Sequence, residues 1–436
     1  MSTLAAAVHG TDAPMWLILP FAALLLSIAG FPLLAPHFWH HHYPKIAVGL
    51  GLVVAAYYVF VLHAPERLTH AAIEYFSFIS LIGSLFVAAG GIHIGVRGEA
   101  RPSTNVLFLL VGAVIANIVG TTGAAMLLIR PWIRMNKFRI TGYHIAFFIF
   151  IVANVGGCLT PIGDPPLFLG FLRGVPFWWV FLNCWPAWLM AVGMLLAIFY
   201  VVDLRNFRRA PKVVSSDLTS SGRWTFQGLH NLFFIAVILG AVLASKVLPK
   251  FLPELVMLAA AFGSYRTTPH EIHEANDFSF APIKEVGWLF AGIFATMIPA
   301  LEYLGRHSAE LGITTAHQFY WATGALSAVL DNAPTYLAFL SAEMGLHGLS
   351  IDSPQDVLTA VTNFPIEVLA ISLGAVFFGA MTYIGNGPNL MVKAISDHSK
   401  VNAPAFFVYI FRYAIPFLLP VLALVGLAFF SRWRIF

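Results

Sequence analysis

The residues best suited to chemistry lie in TPIGDPP, 160–166, where Asp164 sits among glycine and three prolines inside an otherwise apolar run. Asp331, in SAVLDNAPTYLAFL (327–340), occupies a comparable setting in the other half of the chain. Neutral oxygen donors surround both: Asn117, Thr121 and Thr160 in the first half, and Thr335, Thr382 and Asn386 in the second. Carboxylates, hydroxyls, amide oxygens and carbonyls freed from a helix are hard ligands that can replace the hydration shell of a small alkali cation. Nothing in the set favours a soft metal. A carboxylate pair that binds a cation in one state and protons in another exchanges the two, because both compete for the same oxygens.

The elements that must position these residues are membrane helices. The chain has 436 residues, 59% of them hydrophobic and 10% charged, with a mean hydropathy of +0.81, which is too little polar surface for a water-soluble globule. Apolar runs near 15–35, 46–63, 72–96, 177–202, 229–248, 286–304 and 404–430 are long enough to cross a hydrocarbon core of about 30 Å as helices. They are continuous rather than alternating, which excludes a β-barrel. The expected fold class is an all-α polytopic membrane protein. In that setting a charged side chain costs about 2.5–3.5 kcal/mol to insert and is read as functional.

The formal charge of +4 reports topology rather than a nucleic-acid or anionic partner. With the N-terminus outside, Lys45, Arg97, Arg101, Arg130, Arg134, Lys137, Arg139, Arg205, Arg208, Arg209, Lys212 and Arg223 fall inside, as do Lys393 and Lys400. The acidic segment from Glu343 to Glu367 then lies outside, whereas Arg432 and Arg434 at the external C-terminus run against this orientation. Met15–Leu34 is long for a signal sequence and reads as a retained helix.

The longest polar interruption, Asp203 to Gln227, divides the chain almost in half. Across it, GCLTPIGDPP (157–166) matches GAMTYIGNGP (379–388) at an offset of 222, with Asp164 facing Asn386. Upstream, ANIVGTTGAAML (116–127) lies against LDNAPTYLAFLS (330–341) at an offset of 214, so that Asn117 faces Asp331 and Thr121 faces Thr335. Two blocks in the same order indicate an internal duplication. The expected organisation is an N-terminal repeat over 1–203, a cytoplasmic linker over 204–228 and a C-terminal repeat over 229–436. Each half reads as five spans plus a re-entrant hairpin (104–130 and 316–343), with one span broken at 157–166 or 379–388. Five is odd, so the second repeat is inverted, an arrangement that places a site near the midplane where discontinuous helices meet. Prolines that cannot donate and glycines that bend sharply enforce the breaks. The backbone groups they free survive in a bilayer only if protein, water or ligand satisfies them.

Other polar residues divide between functional and structural roles. Lys393, five residues after Pro388, is either a counter-charge to Asp164, a contact for an anionic substrate, or a snorkelling lysine. His37, His40, His41 and His42 read as a solvated loop at a helix end. HEIHEAND (270–277) lacks the i, i+4 histidine spacing of a metalloprotease and also reads as loop. His144, Glu74 and Glu302 are relay candidates or partnered structural groups. Trp178, Trp179, Trp185, Trp188 and Trp433 suit interfacial belts, and Cys158 and Cys184 read as small core residues.

ANVGGCLTPIGDPP (153–166) and the DNAPT of SAVLDNAPTYLAFL resemble motifs of the ion transporter superfamily, which includes NhaD-type sodium/proton antiporters, arsenite carriers, and citrate and dicarboxylate transporters (CitMHS-like). The resemblance covers roughly 70–430. It implies two inverted five-helix repeats, each with a re-entrant hairpin and a broken helix, assembled as a homodimer. The first hairpin tip departs from the antiporter pattern, with Asn117 where an aspartate is common, and two prolines follow Asp164 where Thr or Ser is common.

These readings converge on a secondary transporter of a bacterial inner membrane, exchanging Na⁺ or Li⁺ for H⁺ by alternating access. Asp164 and Asp331 would carry charge, while Asn117, Thr121, Thr160, Thr335, Thr382 and Asn386 supply neutral oxygens. The alternative is transport of citrate, a dicarboxylate or another small anion, with Na⁺ coupling. An integral membrane enzyme is the remote alternative, opposed by the repeat and the lack of a nucleophile motif. No P-loop is present, so no nucleotide or other cofactor is expected and ion gradients supply the energy.

Overall fold

The computed structural model describes residues 13–96, 101–209 and 224–431 and is helical almost throughout. Eight helices among the described residues are long and apolar enough to cross a membrane. The chain is therefore an all-α, multi-pass membrane protein. Its first half contains α1 (Leu19–Leu34), α2 (Pro36–Phe60), α3 (Pro65–Gly90), α4 (Pro102–Met135), α5 (Gly142–Ile151), α6 (Pro165–Arg173) and α7 (Phe177–Arg209). The second half contains α8 (Asn231–Leu243), α9 (Leu252–Thr267), α10 (His270–Ala275), α11 (Ala281–Arg306), α12 (Ala316–Ser327) and α13 (Asn332–Leu346). It closes with α14 (Pro354–Asn363), α15 (Pro365–Phe378), α16 (Gly387–His398) and the span Phe406–Phe430. Proline occupies the first turn of α2, α3, α4, α6, α14 and α15, where its missing N–H has no helical partner to lose.

Burial orders these helices from lipid to core. Only 22% of the most apolar stretch is buried in Met15–Leu34 and in Pro36–Phe60, against 89% in Gly142–Leu159. The broken segment is therefore the centre of the molecule. Its apolar residues, Ile145 to Ile151 among them, are fully enclosed by protein.

α4 folds back on itself at Gly120, whose φ of 77° and ψ of 157° are closed to residues with a Cβ. A Cβ on Gly112 would meet Leu128 at 3.2 Å, whereas a straight helix would hold those positions about 24 Å apart. α12 and α13 form the corresponding pair, joined by a turn through Asp331. Each broken span also follows one plan. α5 passes through a tight turn at Val155–Leu159 and extended residues Thr160 and Asp164 into α6. α15 passes through Gly379–Met381 and extended Thr382 and Asn386 into α16. The extended strands press on the preceding turns so closely that a Cβ on Gly163 would lie 2.0 Å from the Gly157 oxygen, and one on Gly385 would lie 2.6 Å from that of Gly379.

Several sequence expectations are corrected. The run at 229–248 yields only the 13 residues of α8, about 20 Å of helix and short of a full crossing, because Ala244 to Leu248 turn away. His37 to His42 lie within α2 rather than a loop, since each turn continues the helix begun by Pro36. His270 and His273 are in the short helix α10. Residues 204–209 continue α7, and Trp224–Gln227 forms a strand, β2, antiparallel to β1 (His93–Val96). Arg97, Lys212, Arg223, Arg432, Trp433 and Arg434 lie outside the described residues.

Candidate functional site

Both hairpin tips dock on the broken spans through matching bonds. The Thr121 N–H donates to the Gly163 carbonyl at 2.8 Å, and the Asn332 N–H donates to that of Gly385 at 3.1 Å. The Thr160 hydroxyl donates to the Asn117 carbonyl and the Thr382 hydroxyl to the Ala328 carbonyl, each at 2.7 Å. These bonds make Thr121 the counterpart of Asn332 and Asn117 that of Ala328. The pairings of Thr121 with Thr335 and of Asn117 with Asp331 are thus displaced by three residues. The sequence match followed shared letters, whereas the backbone match follows the residue that restarts a helix after the turn.

Asp164 is 1% exposed and lies where all four pieces meet. Its Oδ1 accepts from the Thr121 hydroxyl at 2.7 Å and from the Asn386 amide at 3.0 Å, and its Oδ2 accepts from the Asn332 amide at 2.6 Å. Every one of these partners is neutral. Asp164 and Asn386 stand at the N-terminal ends of α6 and α16, Asn332 opens α13, and Thr121 opens the second limb of α4. Four helix N-termini therefore converge, and their partial positive charges favour one negative charge at this point without a basic side chain.

The remaining expected residues are placed nearby in supporting roles. The Asn117 amide donates to the Ala113 and Gly156 carbonyls at 2.8 and 2.6 Å, and its oxygen accepts from the Leu159 N–H. Thr335 bonds back to the Asp331 carbonyl at 2.8 Å. The Asp331 carboxylate caps α13 by accepting from the Ala333 N–H at 3.0 Å, and does not join Asp164 in a shared hydrogen-bonded pair. Lys393 pairs with Asp397 at 2.6 Å, one turn further along α16, and lies over the Tyr383 ring rather than at Asp164.

Three amides escaped the sequence reading. Asn332 is one, found by the restart of the helix after the Asp331 turn; its Oδ1 is buried with no hydrogen bond. Asn154 and Asn389 are the others: Asn154 donates to Asn389 Oδ1 at 2.7 Å, and Asn389 donates to the Gly379 and Thr382 carbonyls at 2.8 and 2.9 Å. They satisfy groups that the second break frees, while Asn117 and Trp188 do the same for the Gly156 carbonyl at the first. Trp188 is thus a buried structural donor rather than a belt residue. Beside the first tip, a cavity of about 20 Å³ borders Gly120, Thr121, Gly163 and Pro165, enough for one water-sized occupant.

The relay candidates are engaged elsewhere. His144 and Tyr143 face Asp203 at 3.3 and 2.7 Å, and Asp203 also takes Arg139 and Asn105. Glu74 pairs with Arg173 at 2.8 Å, and Glu302 pairs with Arg67.

No curated protein matches the chain. Residues 10–430 match the profile of a family described as "Putative citrate transport". That match spans nearly the whole sequence and the helices are those of a multi-pass protein, so the chain is a membrane transporter and belongs to this family.

Proposed function

We propose that this transporter exchanges Na⁺ or Li⁺ for H⁺ by alternating access, with Asp164 as the group that alternately holds cation and proton. The observation that carries the reading is the setting of Asp164, a buried carboxylate contacted by two amides and a hydroxyl and by no basic side chain described for it. Amide groups can turn their oxygens inward, and the unbonded Asn332 Oδ1 is one such ligand in reserve. Thr121 and Asn386 complete the inner set; Asn117, Thr160 and Thr382 hold the tips, and Asp331 and Thr335 hold the entry to α13. Repeats of opposite orientation, 1–203 and 229–436, a homodimer and a bacterial inner membrane complete the proposal.

A second reading is favoured by the family description and by the four converging N-termini. These could receive the carboxylate of citrate or a dicarboxylate, with Asp164 binding a coupling cation. Purified protein in liposomes holding a pH dye separates the two. Proton movement on adding NaCl or LiCl, absent with KCl, supports exchange; a response confined to sodium citrate overturns it in favour of anion transport.

A further inference from the structure

Glu343 is a buried carboxylate that the site at Asp164 does not use. It lies eleven residues beyond Asn332 on α13, about 16 Å from the hairpin tip along the helix axis. Its side chain is 0% exposed, and neither oxygen accepts a hydrogen bond. An ionised carboxylate there would lose its hydration with no donor to replace it, so the surroundings suit the neutral acid. Its sequence setting, in an acidic stretch expected on the outer side of the membrane, gives no hint of this burial.

His347 supplies a route to it. One turn along the chain, its Nε2 stands 3.5 Å from Glu343 Oε1, and its side chain is 33% exposed. The ring is held flat against Phe364, with centroids 3.4 Å apart and planes within 9°. From the neighbouring helix, Glu367 acts on Glu343 as a like charge, and Tyr336 lies near it on α13. Among other charged groups on elements packed against α13, Glu302 pairs with Arg67, Arg173 pairs with Glu74 and Asp352, Asp356 accepts from the Ser350 N–H, and Arg306 is engaged as well. A proton arriving at His347 can pass to Glu343 and leave both groups neutral, without creating an unpaired buried charge.

We propose that Glu343 is a proton-binding station of the transporter, loaded through His347 at the base of the second hairpin. The same helix that presents Asn332 to Asp164 then carries, at its other end, an acid whose charge state changes the fit of that helix to its neighbours. The inference rests on the proton coupling proposed above. Its test is Glu343→Gln, which keeps the shape of the neutral acid, with His347→Gln beside it.

Two measurements on the full chain decide it. Infrared spectra at neutral pH should contain a protonated-carboxyl band that Glu343→Gln removes. In liposomes with a pH dye, proton movement driven by NaCl should fall by at least about 100-fold in Glu343→Gln, and His347→Gln should displace the pH profile while the protein melts as the wild type does. An unchanged band, or unchanged proton movement and pH profile, overturns the proposal. Wild-type protein that moves no protons with Na⁺ or Li⁺ as chloride instead overturns the exchange reading itself, and this inference with it, before any variant is made.

Discussion

The two halves of the molecule build the same backbone and fill it with different chemistry. Each half docks a hairpin tip through one N–H to one carbonyl and one threonine hydroxyl to another. Yet the first half places Asp164 at the head of its second broken piece, where the second half places Asn386. At the tips, the first half uses Gly120 and Thr121 where the second uses Asp331 and Asn332. The lesson is that symmetry supplies the cradle and asymmetry supplies the charge. One carboxylate is held by donors from both halves, the Thr121 hydroxyl from the first and the Asn332 and Asn386 amides from the second.

The largest effect should come from removing that asymmetry. Asp164→Asn makes the two halves alike at this position with almost no change of shape, and is expected to abolish ion-driven proton movement in liposomes while the protein remains folded and inserted. Full activity in the variant would mean that the charge is carried elsewhere.

Next should come the polar cluster that anchors the first half alone. Asp203→Ala leaves Arg139 buried without its carboxylate and should cost about 3–5 kcal/mol, read as a lowered melting temperature in detergent. A melting curve like that of the wild type would show the cluster to be dispensable. The two hairpin turns then differ in a way that backbone geometry anticipates. Gly120→Ala forces a Cβ into a positive-φ conformation and should destabilise by about 1–3 kcal/mol, whereas Asp331→Ala removes only a helix cap and should cost about 1 kcal/mol. Equal losses, or the reverse order, would remove the distinction between the tips. The smallest effect belongs to Lys393→Ala. Its partly exposed pair with Asp397 is worth less than about 1 kcal/mol, and transport should not change; a loss of citrate-dependent transport would place Lys393 in contact with substrate.

Much of this arrangement is legible in the sequence, for identifiable reasons. Proline and glycine at 161–166 and 385–388 can only mean interrupted helices inside apolar runs, and the match between Asp164 and Asn386 follows from their common place in the repeat. Asn332 was hidden because Thr121 and Thr335 share a letter, while the relevant equivalence lies in backbone conformation at Gly120 and Asp331. Asn105, Arg139 and Asp203 were not associated because they meet only in space, 98 residues separating Asn105 from Asp203. Glu343 is hidden for a related reason: its place in the acidic segment expected outside the membrane says nothing of burial, which arises only where α13 packs against its neighbours.

The central claim, that one carboxylate shared by both halves is the coupling charge, is tested most directly by binding. Tracer sodium would be equilibrated with purified wild-type protein and Asp164→Asn at several pH values. The account predicts wild-type binding that protons displace, and none in Asp164→Asn. Sodium bound equally by both proteins, with the same pH dependence, would contradict it.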